Sequence, residues 1–407
     1  MFKIYNINSL LIKIFEALLY VFAPFSNKIE KGIIGRKNSF KKLNLCFKKG
    51  DRIIHIHCAS HGEYLLAKKL IHNLKEKFKN HRFLLSFISP SGYENVKNSL
   101  FDCIIYLPLA TNKNCIKFYN IIKPTATFFI KNEIWPNYIK HAKMNGSKVY
   151  SIGGNFRTNF LKKLLKINSA IKQFDSIYTL NEKSKKVIES IGNKNTIVCG
   201  DLRFDADIPK LSRIASENIS KFIDNKTCIV FGSTWKEDED IILRYIKSSN
   251  RNIKYIIAPH EISNNPKRIK KFLGDESILY SDIKSNTSLQ EFSCLIVDNI
   301  GMLSALYNYS SISYVGGGMG KKGLHNTLEP AYFSKPIIIG KNYQKFEEAN
   351  EMIKNGNMIS ISNYNEFYNA IESIIDNENL LKKMSKKCTE YFDKKKGAVK
   401  IILNDLK

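Results

Sequence analysis

The chain has 407 residues, 43% of them hydrophobic and 25% charged. This is ordinary globular composition, enough for two or three domains, and it excludes disordered, collagenous and miniprotein classes. Its 64 Lys and Arg against 37 Asp and Glu leave a formal net charge of +27, which brings nucleic acid, phosphates and an anionic membrane surface into consideration. Only nine of the 64 basic residues are Arg. Base-edge recognition favours the planar Arg fork, so the Lys excess argues against nucleic acid and reads largely as compositional background. The eight Cys form no C-x-x-C pair and several lie in apolar runs, as expected of reduced core thiols.

The first predicted element covers residues 9–25, SLLIKIFEALLYVFAPF. With Lys13 and Glu16 inside it, this segment is too short and too charged to span a bilayer. The basic stretch 28–42 comes next, so residues 1–45 read as a membrane-associated helix lying at an anionic interface. A cleaved signal peptide, for which no small-residue cleavage site follows, and a helix packed on its own domain are the alternatives. From residue 52 onward, short apolar runs at 53–58, 83–88, 103–107, 126–130, 149–152, 177–180 and 196–199 alternate with helix-length amphipathic segments. Buried β-branched runs separated by helical crossovers predict a parallel sheet covered on both faces, hence one doubly wound α/β domain over 46–210. A polar connection at 205–225 leads to a second series, with runs at 228–231, 255–258, 295–297, 312–315 and 337–339, forming a domain over 211–385. Residues 386–407 read as a closing helix and Lys-rich tail. Two such halves predict a ligand in the cleft between them, at strand carboxyl ends and helix amino ends.

Five segments could carry chemistry. In HCASHGEYLL, Ser60 and Gly62 suit a strand-to-helix turn, and Glu63 falls in the first helical turn. A carboxylate there can act as a general base or simply complement the helix dipole. His55, His57 and His61 raise a zinc reading, but no second ligand pair at metal spacing accompanies them. In FFIKNEIWPNYI, Glu133 follows a strand and Pro136 opens the next helix. In VCGDLRFD, Arg203 could neutralise a leaving phosphate or pair with a neighbouring Asp. In VFGSTWKEDED, Ser233 and Thr234 precede a helix start whose N–H groups either bind an anion or are capped locally. The fifth, SYVGGGMGKKGLHNTLEPA, opens a strand into a glycine-rich loop around Gly317, with His325, Asn326 and Glu329 behind it. Such loops aim N–H groups at phosphate, and Glu329 can hold a sugar hydroxyl, although N-x-x-E also resembles a capping box.

In order and spacing, Ser60-x-Gly62-Glu63, Glu133-Ile-Trp-Pro-Asn137, Asn155-x-Arg157, Gly200-x-Leu-Arg-Phe-Asp205, Gly232-Ser-Thr234, Gly317 and His325-Asn326-x-Leu-Glu329-Pro-Ala331 resemble the 3-deoxy-D-manno-octulosonic acid (Kdo) transferases. The resemblance covers nearly the whole chain, and its glycine-rich part is the most specific. It implies a GT-B glycosyltransferase, with two Rossmann-like doubly wound domains facing across a cleft. The N-terminal domain would take the acceptor and the C-terminal domain the CMP-sugar. The enzyme would need no metal and no cofactor, and would sit at the cytoplasmic face of the inner membrane on its anionic surface. It would move Kdo from CMP-Kdo to a lipid A precursor, lipid IVA, with inversion. Glu63 matches the general base, while Glu133 and Arg203 match positions that support the transition state. CMP contacts fall to Pro259, His260, Ile300, Gly301, Met302, His325, Asn326, Thr327, Leu328 and Glu329, joining Ser233 and Thr234. Three departures stand out: Arg203 where Lys is frequent, His260 where Arg is common, and Met302 where an acid can occur. Without Arg at 260, Arg268 or a nearby Lys would have to meet the donor phosphate. Two other readings stay open, a GT-B enzyme using a UDP-sugar (N-acetylglucosaminyl transferase or 2-epimerase) and a basic membrane- or nucleic-acid-binding protein.

Overall fold

The computed structural model describes residues 23–96, 100–157, 165–208 and 210–406. The chain forms two compact units. The first runs to Ala206 and takes up the chain again from Lys396, and the second is Asp207–Lys395.

In the first unit, β1 (Ile53–Cys58), β2 (Arg82–Phe87), β3 (Cys103–Tyr106), β4 (Ala126–Ile130), β5 (Lys148–Gly154), β6 (Ser176–Thr179) and β7 (Thr196–Val198) form one sheet. Its order is β3-β2-β1-β4-β5-β6-β7, and every pairing is parallel. All six residues of β1 are buried, because helices cover both faces. Ile54 and Ile56 face a core with Tyr64, Leu70 and Phe128. The alternate residues, His55 and His57, face Phe118 and Phe129 of the opposite core.

The second unit repeats this plan with β8 (Cys228–Thr234), β9 (Lys254–Pro259), β10 (Ser277–Leu279), β11 (Cys294–Ile296), β12 (Ile312–Val315), β13 (Ile337–Gly340) and β14 (Met358–Ile361). The order is β10-β11-β9-β8-β12-β13-β14, again parallel. In each sheet the strand order reverses beside the unit's first strand, between β1 and β4 and between β8 and β12. Loops leaving these strand pairs open a crevice at the carboxyl edge of the sheet, where ligands of open α/β folds bind.

Besides β10 and β14, which the sequence reading did not contain, three segments bear on that reading. Residues 9–22 of the expected membrane helix lie outside the described residues. The basic stretch after them is a helix, Asn27–Cys46, that docks on the first unit: Leu43 is buried, Ser39 Oγ donates to the Tyr106 carbonyl at 2.7 Å, and Arg36 Nη2 donates to the Ile88 carbonyl at 2.8 Å. Among the described residues no helix is long and apolar enough to cross a membrane. The polar connection at 205–225 contains the helix Arg213–Ile223, capped by Ser212 and burying Ala215, Ile219 and Phe222. The closing segment 386–407 is divided between the units. The helix Glu378–Lys395 stays in the second, whereas Ala398–Asp405 buries Ala398, Val399 and Ile402 in the first. Asp205 holds this last helix by accepting from the N–H groups of Gly397 and Val399, each at 2.8 Å. A side-chain cap of this kind contributes roughly 1 kcal/mol.

Candidate functional site

In the first unit the loop after β1 and the loop after β4 bring Glu63 and Glu133 together. Glu63 sits in the first turn of the helix His61–Lys77 and accepts from the Ala59 N–H at 2.6 Å. The carboxylate therefore also braces its own loop. Burial, and then repulsion from Glu133, raises the Glu63 carboxyl above its ordinary range, and the Ala59 hydrogen bond only partly offsets this. Glu133 is 2% exposed and accepts from Trp135 Nε1–H at 2.8 Å. Trp135 stands at the N-cap of the helix Pro136–Met144, with Pro136 at its first position as the sequence predicts. Two mutually repelling carboxylates in a partly dry crevice give one of them the raised proton affinity that a general base needs.

The elements behind this pair are closely tied. Lys131 adopts φ 61°, turning the chain out of β4 before Glu133. Asn132 exchanges hydrogen bonds with the Asn155 backbone, at 2.9 and 3.1 Å, linking the ends of β4 and β5. Arg157 is exposed two residues further on. Arg203 lies on a short 3-10 turn, Leu202–Phe204, that packs against the helix carrying Glu63. Its guanidinium contacts Asp201 Oδ2 at 2.7 Å through both Nε and Nη2, so the local Asp201 pairing is present. The pair is half-exposed, and such pairs contribute little to stability, about 0–1 kcal/mol.

In the second unit, Ser233, Thr234, Pro259, His260, Gly317 and His325 converge where β8, β9 and β12 end. Ser233 takes φ 52°, the His260 N–H donates to the Thr234 carbonyl at 2.9 Å, and the His325 N–H donates to the Gly316 carbonyl at 3.1 Å. A side chain on Gly316 would strike the Ser233 carbonyl and lie 2.8 Å from Thr234 Cα, which is why this turn needs glycine. His260 stacks against Trp235 on one side, with centroids 4.6 Å apart, and against His325 at 4.4 Å. Trp235 Nε1–H donates to His325 Nε2 at 2.8 Å, and Lys322 Nζ lies 4.7 Å from the Trp235 ring centroid. Burial, and then repulsion from His260, lowers the proton affinity of His325. The result is an aromatic platform with an exposed His260, suited to a flat ring.

The helix that starts here, Lys236–Ser248, is capped from within its own first turn. Asp238 is fully buried and accepts from the Trp235 N–H at 2.9 Å, the Gly317 N–H at 2.8 Å and the Tyr314 hydroxyl at 2.7 Å. Thr234 Oγ1 donates to Glu239 at 3.1 Å, and Arg268 pairs with the other oxygen of Glu239. Of the two readings of this helix start, the local cap is present, since a carboxylate takes the Trp235 N–H, and Arg268, the expected replacement for an Arg at 260, pairs with Glu239. Asp238, the anchor of the glycine-rich loop, was missed in the sequence. Only its place in an acidic first turn signalled it.

Asn326 and Glu329 do not form a capping box. Asn326 Oδ1 accepts from the Leu328 N–H and Asn326 Nδ2 donates to Glu329 Oε1, both at 3.1 Å. Glu329 also accepts from Ser304, and its burial raises its proton affinity. Ser304 belongs to the short helix Leu303–Leu306, which follows the loop of Ile300, Gly301 and Met302. Glu329 is thereby joined to that loop, where Ile300 is 84% exposed while Met302 is buried beneath it. Thr327 and Leu328 are buried at the start of the helix Leu328–Tyr332.

Two parallel α/β units with functional groups at their switch points define a GT-B-type fold. Accordingly, the chain superposes on UDP-GlcNAc 2-epimerase from Neisseria meningitidis bound to UDP-GlcNAc with a TM-score of 0.62 and 15% identity, covering 87% of this chain and 98% of that one. Residues 34–206 match the family model described as 3-deoxy-D-manno-octulosonic-acid transferase. A 3-deoxy-D-manno-octulosonic acid transferase of Rickettsia typhi is 29% identical over 354 residues, 84% of this chain and 76% of that protein. A bifunctional glycosyltransferase/methyltransferase of Fusobacterium nucleatum subsp. nucleatum is 30% identical over 379 residues, 89% of this chain. The chain spans 58% of the length of that relative. Residues 34–206 thus carry a Kdo-transferase domain, and the curated Kdo transferases align with most of the chain, which marks it as a glycosyltransferase.

Proposed function

We propose that this chain transfers Kdo from CMP-Kdo to a lipid A precursor, lipid IVA, with inversion and without a metal, at the cytoplasmic surface of the inner membrane. The observation that carries this reading is the pairing of Glu63 with Glu133 at the switch point of the unit that matches the family. Glu63 removes the proton of an acceptor hydroxyl as that oxygen bonds to the anomeric carbon. The bond from that carbon to the phosphate oxygen breaks, and CMP leaves with the electron pair. Glu133 and Arg203 support the oxocarbenium-like charge and the departing anion respectively. The cytosine stacks on the platform of His260, Trp235 and His325, and Glu329 receives the ribose hydroxyls. Lys321 and Lys322, exposed in the glycine-rich loop, supply the cationic phosphate contact that Arg268 does not. Attraction to an anionic membrane draws on the net charge of +27, with each Lys or Arg near such a surface contributing about 1 kcal/mol.

Calorimetric titration with CMP and with UDP tests the donor class. The expected result is CMP binding at least tenfold tighter than UDP binding, abolished by Glu329→Ala. A preference for UDP would overturn the assignment and favour a UDP-sugar enzyme.

A further inference from the structure

Behind the carboxylate pair, β1 and β2 bury a polar chain that the transfer mechanism leaves unused. His55 and His57 are both fully buried and lie on the same face of β1. Between them sits the hydroxyl of Ser86 on β2, 2.9 Å from His55 Nε2 and 2.9 Å from His57 Nδ1. The remaining ring nitrogens, His55 Nδ1 and His57 Nε2, make no hydrogen bond. His57 Nε2 faces Glu133 Oε2 at 3.8 Å, longer than a hydrogen bond.

The order of protons in this chain is set by counting them. Burial drives the proton affinity of His55 far down, with His57 adding to the effect, so His55 carries a single ring proton. The serine hydroxyl has one proton to give. In one order, His55 Nε2–H donates to Ser86, Ser86 donates to His57 Nδ1, and His57 carries its proton on Nε2, toward Glu133. In the reverse order a bare Nε2 lone pair would face the Glu133 carboxylate, and His55 would bury an Nδ1–H without an acceptor. The second arrangement places two electron-rich groups against each other and aims a buried N–H at no acceptor, whereas the first aims its remaining N–H at the carboxylate 3.8 Å away.

We propose that His55, Ser86 and His57 form a tautomer-setting chain that turns an Nε2–H toward Glu133, making His57 a positioning residue for that carboxylate. The proposal rests on the transfer role given to Glu133 above. The N–H favours the ionised form of Glu133, whose charge raises the proton affinity of Glu63. The other titratable groups facing this cluster are Cys58, whose thiol burial keeps protonated, Glu63 from the adjoining helix, and Lys131, which acts on Glu63.

Nitrogen-15 NMR of the full chain labelled at histidine reads the tautomer directly, with His57 assigned by its loss in His57→Gln. The expected spectrum has His57 protonated on Nε2 and Ser86→Ala mixing its tautomers, while Ser86→Thr keeps the order. An Nδ1-protonated His57 in the unaltered protein would overturn the proposal. In transfer assays His57→Ala should lower kcat on the order of 10- to 100-fold, as loss of an orienting partner does, with KM little changed. Its acid limb should move to lower pH, because a Glu133 that holds its proton longer repels the Glu63 base less. His57→Gln, whose amide N–H can take the place of Nε2–H, should restore most of the rate and return the limb. Equal losses in both variants with an unmoved acid limb would contradict the positioning role. The NMR result does not depend on transfer, so failure of the transfer reading is separately visible as inactivity of the unaltered protein.

Discussion

Replacing Glu63 by Gln is expected to lower the rate of glycosyl transfer on the order of 10²- to 10⁴-fold, the usual worth of a general base, while leaving CMP affinity unchanged. The amide keeps an oxygen that can accept from the Ala59 N–H, so the loop stays braced and only proton removal is lost. Glu63→Gln should also raise the thermal midpoint at neutral pH. Burial and Glu133 hold the Glu63 carboxyl above its unfolded value, so the stability contributed by protonation is present below the ordinary Glu range and is lost as pH rises through the folded value. At neutral pH the ionised carboxylate therefore costs stability, and Gln removes that cost. A variant that keeps most of the transfer rate would show Glu63 to be only a brace for its loop. A lower midpoint with lost activity would make the effect one of folding.

Asp238→Ala is expected to have the largest effect on the second unit. Its carboxylate is the acceptor for the N–H groups of Trp235 and Gly317 and for the Tyr314 hydroxyl. Removing it leaves three donors without that acceptor, and each buried unsatisfied group costs about 1–3 kcal/mol. The expected loss is on the order of 3 kcal/mol or more, read as a fall in the urea midpoint. Burying this carboxylate is itself unfavourable and raises its proton affinity. The site therefore retains a charge at some cost, for the sake of holding the helix start and the glycine-rich loop together. CMP binding should fall in parallel, because the platform residues Trp235 and His325 flank the two segments that Asp238 joins. Asp238→Asn, with one acceptor oxygen left, should be intermediate in both measurements. A full loss of CMP binding in Asp238→Asn without loss of stability would instead point to direct contact with the ligand.

Much of the fold was legible because a parallel sheet writes itself as buried β-branched runs. IIHIHC and ATFFI mark β1 and β4 at the bounds expected. Two short strands, β10 with SIL and β14 with MISI, are too brief for a distinct pattern, and they gain their identity from pairing with β11 and β13. The helix Ala398–Asp405 was hidden because its cap, Asp205, stands almost two hundred residues earlier, and no local rule connects them. The site divides in the same way. Glu63 and Glu133 follow strands at the switch point, so their loops point to them. The stack of Trp235, His260 and His325, the bond from Asp238 to Gly317, and the Ser86 bridge between two histidines all depend on strand register across the sheet, which spacing along the chain does not reveal.

The central claim is the transfer of Kdo to a lipid acceptor. Its most direct test is incubation of the full chain with lipid IVA and a CMP-Kdo-generating system, then mass spectrometry of the lipid. The expected result is a product heavier by one or more Kdo residues, formed by the unaltered protein and absent with Glu63→Gln. An unmodified acceptor with correctly folded, CMP-binding protein would contradict it.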